Sequence, residues 1–123
     1  MFPGPGLVRP DLPTGISAPT AKGGMNQFAW NLRYPDAVGF QGLIMWAGSL
    51  TGPVAPPGTY GVRLLVNGQP AGTETFRVLK DPRTDATQAD LVAQHQFLIQ
   101  IRDAVTEANN AVRTIRNVKH QLN

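Results

Sequence analysis

The sequence predicts an antiparallel β-sandwich of immunoglobulin-like type. One long C-terminal α-helix follows it, and an extended Pro/Gly-rich arm precedes it. Three observations carry this expectation. All 13 glycines and ten of the 11 prolines fall at or before Gly72, the turn-rich composition of β proteins. Alternating apolar residues punctuated by turn signals run from about residue 25 to residue 80. From Gln88 to Leu122 there is neither glycine nor proline. The expected organisation is an arm over 1–24, a sandwich over 25–82 and a helix over 83–123.

Residues 1–24 hold five prolines and five glycines, a density of breakers that no helix survives. Extended or polyproline-II backbone is the natural state, either as a linker or as an arm docking on a neighbouring subunit. Leu7, Val8, Leu12 and Ile16 are the anchors of such an arm.

In "MNQFAWNLRY" (residues 25–34), Phe28, Trp30 and Leu32 alternate with Gln27, Asn31 and Arg33. Period two with aromatics reads as a half-buried strand, with Trp30 at the core centre. "FQGLIMWAGSL" (residues 40–50) reads as a second strand or a strand-like loop. Trp46 falls outside its alternation and is a candidate surface contact, together with Tyr34.

"APPGTYGVRLLVNGQPAGTETFRV" (residues 55–78) is the strongest hairpin signal. Asn67-Gly68 accepts the left-handed angles of a type I′ turn. Tyr60, Val62, Leu64 and Val66 share one face before it, and Phe76 and Val78 point inward after it. Three to six strands over residues 25–80 are expected, a small sandwich.

Asp81-Pro82 ends the sheet. Thr87, with Asp90 three residues on, resembles a capping box. The helix that follows would be about 50 Å long at ~1.5 Å per residue. That is longer than a small sandwich with a radius of gyration near ~13 Å. Leu91, Leu98, Val105, Val112 and Lys119 fall seven apart; so do Gln94, Ile101, Ala108, Ile115 and Leu122. The two rows make an a/d stripe, widened by Phe97, Ile99 and Val118. Such a stripe packs on another helix or the sheet, or pairs with a second copy. The interface residues expected are Leu91, Leu98, Ile101, Val105, Ala108, Val112, Ile115 and Leu122.

Composition narrows the function. Net charge is +3, with six basic against three acidic residues up to Lys80 and five against five beyond it. No nucleic-acid footprint is indicated, and the basic run Arg113, Arg116 and Lys119 has no aromatic stacking platform beside it. Without cysteine there is no disulfide framework and no thiolate metal site. His95 and His120, 25 residues apart on one helix, would stand roughly 37 Å apart, too far to share a metal. Ser49 in "AGSLTG" lacks the nucleophile-elbow spacing, and "AKGG" is not a phosphate loop. No cofactor and no catalytic residue is expected. No apolar run reaches the ~18–20 residues that a membrane span needs, and the start is no signal peptide.

"GMNQFAWNLRYPDA", "GPVAPPGTYGVRLLVNG", "FRVLKDPR" and "QADLVAQHQFLIQIRDAVTEANNAV" together resemble the C-terminal region of bacterial sortilin-like proteins. These are large secreted or envelope proteins built on BNR-type β-propellers, often labelled glycosyl-hydrolase-like. The resemblance covers about residues 23–118. It implies an immunoglobulin-like domain leading into a helical hairpin, an extracellular or cell-envelope setting, and no catalytic residue in this chain. Two functions follow as expectations. One is a non-catalytic module that self-associates through its helix and arm as an oligomer or filament subunit. The other is an accessory stalk excised from a larger chain and binding glycan or protein.

Overall fold

A computed structural model describes residues 22–122; the arm anchors Leu7, Val8, Leu12 and Ile16 lie outside the described residues. The described chain has three regular elements: β1 (Gly58–Val66), β2 (Gln69–Val78) and α1 (Gln88–Gln121).

The immunoglobulin-like sandwich is not formed. Among the described residues there is one two-stranded antiparallel sheet, β1 against β2, too small to make two layers. The stretches expected as further strands, residues 25–34 and 40–50, are irregular. The physical reason lies at Leu32, whose φ is 58°, a left-handed conformation that breaks strand alternation. The Asn31 side chain promotes the break by accepting from the Arg33 amide, an Asx turn. Only one isolated bridge follows, Arg33 with Val54. Around it, the amides of Tyr34, Ala37 and Ala55 donate to the carbonyls of Pro53, Leu50 and Leu32. Residues 32–37 and 50–55 thus lie side by side as a loose ribbon.

That ribbon depends on Gly52. A Cβ there would overlap the Tyr34 carbonyl. The Gly52 amide donates to Asp36 Oδ1 (2.7 Å), and its carbonyl accepts from Arg33 Nη1 (2.9 Å). Ala37 and Ala55 beside it are the buried hydrophobic residues of the described chain.

The hairpin forms where its turn signal lies. Asn67 (φ 49°) and Gly68 (φ 80°) take the left-handed angles of the tight turn. Pairing runs from Val66–Gln69 to Gly58–Val78, and a bulge between Leu64 and Leu65 accommodates Pro70, which has no ladder donor to give. Tyr60 and Phe76 are cross-strand partners, ring centroids 6.0 Å apart, and Trp30 lies against both. The Trp30 indole N–H donates to the Arg33 carbonyl. Trp30 is therefore half-buried in an aromatic cluster, the nearest thing to the core centre expected of it. Burial pushes the Tyr60 hydroxyl above its ordinary pKa, and Tyr34 beside it adds to the effect.

The helix begins as its sequence specifies. Thr87 caps it, accepting from the Asp90 amide while Asp90 accepts from the Thr87 amide, a complete capping box. The backbone of the helix does not closely approach that of the hairpin strands. The helix lies instead along the irregular segment 32–57.

Candidate interaction surface of the helix

The helix presents two different long faces. The first is a polar row with a repeat of seven: Gln88, His95, Arg102, Asn109 and Arg116. Each of the five donates to a backbone carbonyl. Gln88 Nε2 reaches Pro57 (2.6 Å), His95 Nδ1 reaches Val54 (3.0 Å), and Arg102 Nη1 reaches Pro35 (3.4 Å). Asn109 Nδ2 reaches Val38 (2.7 Å) and Arg116 Nη1 reaches Gln41 (2.7 Å). The His95 bond requires its proton on Nδ1. The segment is only partly paired with itself, and backbone carbonyls left unpaired are costly when shielded from water. The helix supplies the missing donors rung by rung. Thr106 adds an acceptor for the Val38 amide (3.1 Å), so the Val38 residue is held on both sides.

Ring contacts reinforce the row. Tyr34 lies over His95 at 4.5 Å between centroids, and the Arg116 guanidinium sits 4.5 Å above the Phe40 ring. Asn109 is the buried residue of the helix, 8% exposed. Tyr34 is half-buried in this contact, whereas Trp46 is 97% exposed.

Leu91, Val105 and Val112 flank the polar row and are half-buried, with Leu98 only slightly more open. Between them and the segment lies an open, mainly apolar cleft of about 690 Å³. Its charged members Arg33, Asp81 and Arg102, and His95 with them, have partners within the chain, at Gly52, Arg83, Pro35 and Val54.

The second face is apolar and turns away from the body except at Ile101, which also lines the cleft. It comprises Phe97, Ile101, Ala104, Ala108, Ala111, Ile115, Val118 and Leu122. Their spacing alternates four and three, the strict a/d repeat of a coiled-coil seam. Phe97 is 62% exposed, Ile115 67% and Leu122 81%; Ile101, Val118 and the three alanines are also exposed. At ~100° per residue the mid-line of the seam lies about 130° around the helix from the body-facing row.

The structure therefore divides the expected stripe. Leu91, Leu98, Val105 and Val112 turn toward the body. Ala108, Ile115 and Leu122 turn outward, where they join Phe97, Ala104, Ala111 and Val118, and Ile101 stands between the two sets, exposed on one side and lining the cleft on the other. The body follows the helix from Gln88 to Arg116, closer along its length than the overhang expected from length alone. The polar row was missed because periodicity was sought in apolar residues. Its signal is in the sequence: five hydrogen-bonding side chains at a constant interval of seven.

Among the described residues no three His, Asp or Glu side chains group as a metal site, and no helix is long and apolar enough to cross a membrane. No family model, curated protein or solved structure matches the chain.

Proposed function

We propose that this chain is a non-catalytic structural and interaction module that associates with a second copy of itself through the outward seam of α1. One observation carries the reading: eight a/d positions in unbroken register, all exposed, on a helix whose other face already holds its own body. Burying large aliphatic and aromatic side chains stabilises by roughly 1.5–3 kcal/mol each, so leaving five of them in water is unfavourable. The arm, with Leu7, Val8, Leu12 and Ile16, is the second connector of the proposal, and repeated use of both connectors gives an oligomer or filament. The exported or cell-envelope setting rests on the sortilin-like resemblance of the quoted motifs.

Light scattering coupled to size exclusion at tens of micromolar tests the helix contact. The expected result is a dimer or larger species for the natural chain. Ile115→Asp should be monomeric with unchanged far-UV circular dichroism, because Ile115 touches little of its own body. A monomeric natural chain overturns the proposal. It would favour the other reading, an accessory stalk of a longer chain whose own helix covers the seam.

A further inference from the structure

We infer that two copies pair antiparallel about a two-fold axis between Ala108 and Ala111, a refinement that rests on the self-association proposed above. The order of side-chain sizes along the seam is nearly palindromic. Large residues (Phe97, Ile101) precede three alanines, and large residues (Ile115, Val118, Leu122) follow them. Antiparallel coiled helices pack each a position against a d position of the partner. One register uses every residue of the seam. It sets Phe97 against Leu122, Ile101 against Val118, Ala104 against Ile115, and Ala108 against Ala111, and the same four layers repeat beyond the axis. A two-fold contact of this kind is self-complementary and closed.

A parallel pair is packed less evenly. It stacks Ala104, Ala108 and Ala111 each on its own copy, giving three thin layers in succession between thick ones. Interiors tolerate such voids poorly. Antiparallel pairing sets Ile115 into the space over Ala104 and leaves the alanines only at the centre.

Charge favours the same direction. From Gln88 to Val105 the helix carries Asp90, Arg102 and Asp103, and from Thr106 to Gln121 it carries Glu107, Arg113, Arg116 and Lys119. The first half is net negative and the second net positive. Of these charges Arg102 and Arg116 belong to the body-facing row, so the direction is favoured by the opposition of the helix dipoles in an antiparallel pair. On the polar flank, Gln100 meets Gln121 and Glu107 meets Thr114, so no like charges face each other.

Complete burial of the seam on both copies is needed to reach about 1,200 Å², the lower edge of specific stable interfaces. The polar row that holds the body lies about 130° around the helix from the mid-line of the seam.

The chain has no cysteine, so engineered thiols report position cleanly. Ile101→Cys and Val118→Cys are prepared separately, one with an affinity tag, and each is first shown by light scattering to keep the oligomeric state of the natural chain. Each is then oxidised alone and as a mixture. The expected result is a disulfide-linked dimer in the mixture, joining tagged to untagged chain, and none in either variant alone, since a disulfide needs Cα atoms within about 7 Å. Self-linking of either variant alone refutes the antiparallel register while leaving self-association standing. A dimer that links in no combination refutes the register as well. A monomeric natural chain removes the association itself.

Discussion

Replacing Asn109 with alanine isolates the contact between helix and segment. Asn109 sits in the middle of the polar row, is nearly enclosed, and gives its amide to the Val38 carbonyl at 2.7 Å. Two effects oppose each other. Alanine is the better helix former by roughly 0.5–0.7 kcal/mol. Against that, the hydrogen bond is lost and the Val38 carbonyl is left short of a partner, a cost of about 1–3 kcal/mol. The second effect is larger, so the net loss should be about 1–2 kcal/mol. For about 100 ordered residues this lowers the melting temperature by roughly 5–10 °C. Asn110, the next residue, is exposed, and its side-chain amide meets only Arg113 at 3.5 Å. Asn110→Ala should therefore be neutral or raise stability by up to about 0.5 kcal/mol. Urea unfolding followed by circular dichroism at 222 nm reads both variants under one set of conditions. Opposite signs are expected at neighbouring positions. If both variants shift the midpoint the same way, or Asn109→Ala leaves it unmoved, the row does not hold the segment. Thr106→Ala extends the test, because Thr106 and Asn109 grip the same residue. The double variant should depart from additivity by at least about 0.5 kcal/mol.

Two further outcomes are expected. Gly52→Ala forces a methyl group into the Tyr34 carbonyl and should cost about 3 kcal/mol, the upper end of overpacking losses; proteolysis within 32–57 would report it, and an unchanged digestion pattern would show that the ribbon relaxes. Thr87→Ala removes the helix cap and should cost about 1 kcal/mol. It should also flatten the acid limb of stability. The Thr87 side chain and amide hold the Asp90 carboxyl below its ordinary pKa, so the folded state gains above the unfolded value of about 4. That gain is lost as pH falls through the lower folded value. Thermal melts between pH 2 and pH 6 check it, and identical acid limbs for the variant and the natural chain would contradict the assignment.

What could be read in advance was what neighbouring residues decide among themselves. Asn67-Gly68 set their own backbone angles and made the hairpin. Thr87 and Asp90 closed a capping box over three residues. The gap in glycine and proline after Gln88 left the helix uninterrupted. The sandwich was misread because residues 25–34 alternate as a strand does, yet Asn31 captures the Arg33 amide and turns Leu32 into the left-handed region. Alternation tells which side chains share a face only once a backbone partner exists, and for that stretch none forms beyond the Arg33–Val54 bridge. The candidate surface was half legible. Ala108, Ile115 and Leu122 stand outward as a seam requires, whereas Ile101 also lines the cleft toward the body. Leu91, Leu98, Val105 and Val112 fit the same arithmetic but are claimed by the body, and only the polar row running beside them shows which set is which.

That row also locks the phase of the helix. Each rung stands two turns from the next, and every one must meet its own carbonyl at once. Adding a single residue near Ala104 would swing all later rungs by ~100°, pulling Asn109 and Arg116 away from Val38 and Gln41 in one stroke. Adding seven would restore the bearing to within about 20° yet carry the later rungs about 10 Å along the axis, past the same carbonyls. The length of the rod between Gln88 and Arg116 is thus set by the segment it carries, and only the stretch beyond Arg116 can lengthen without unfastening it.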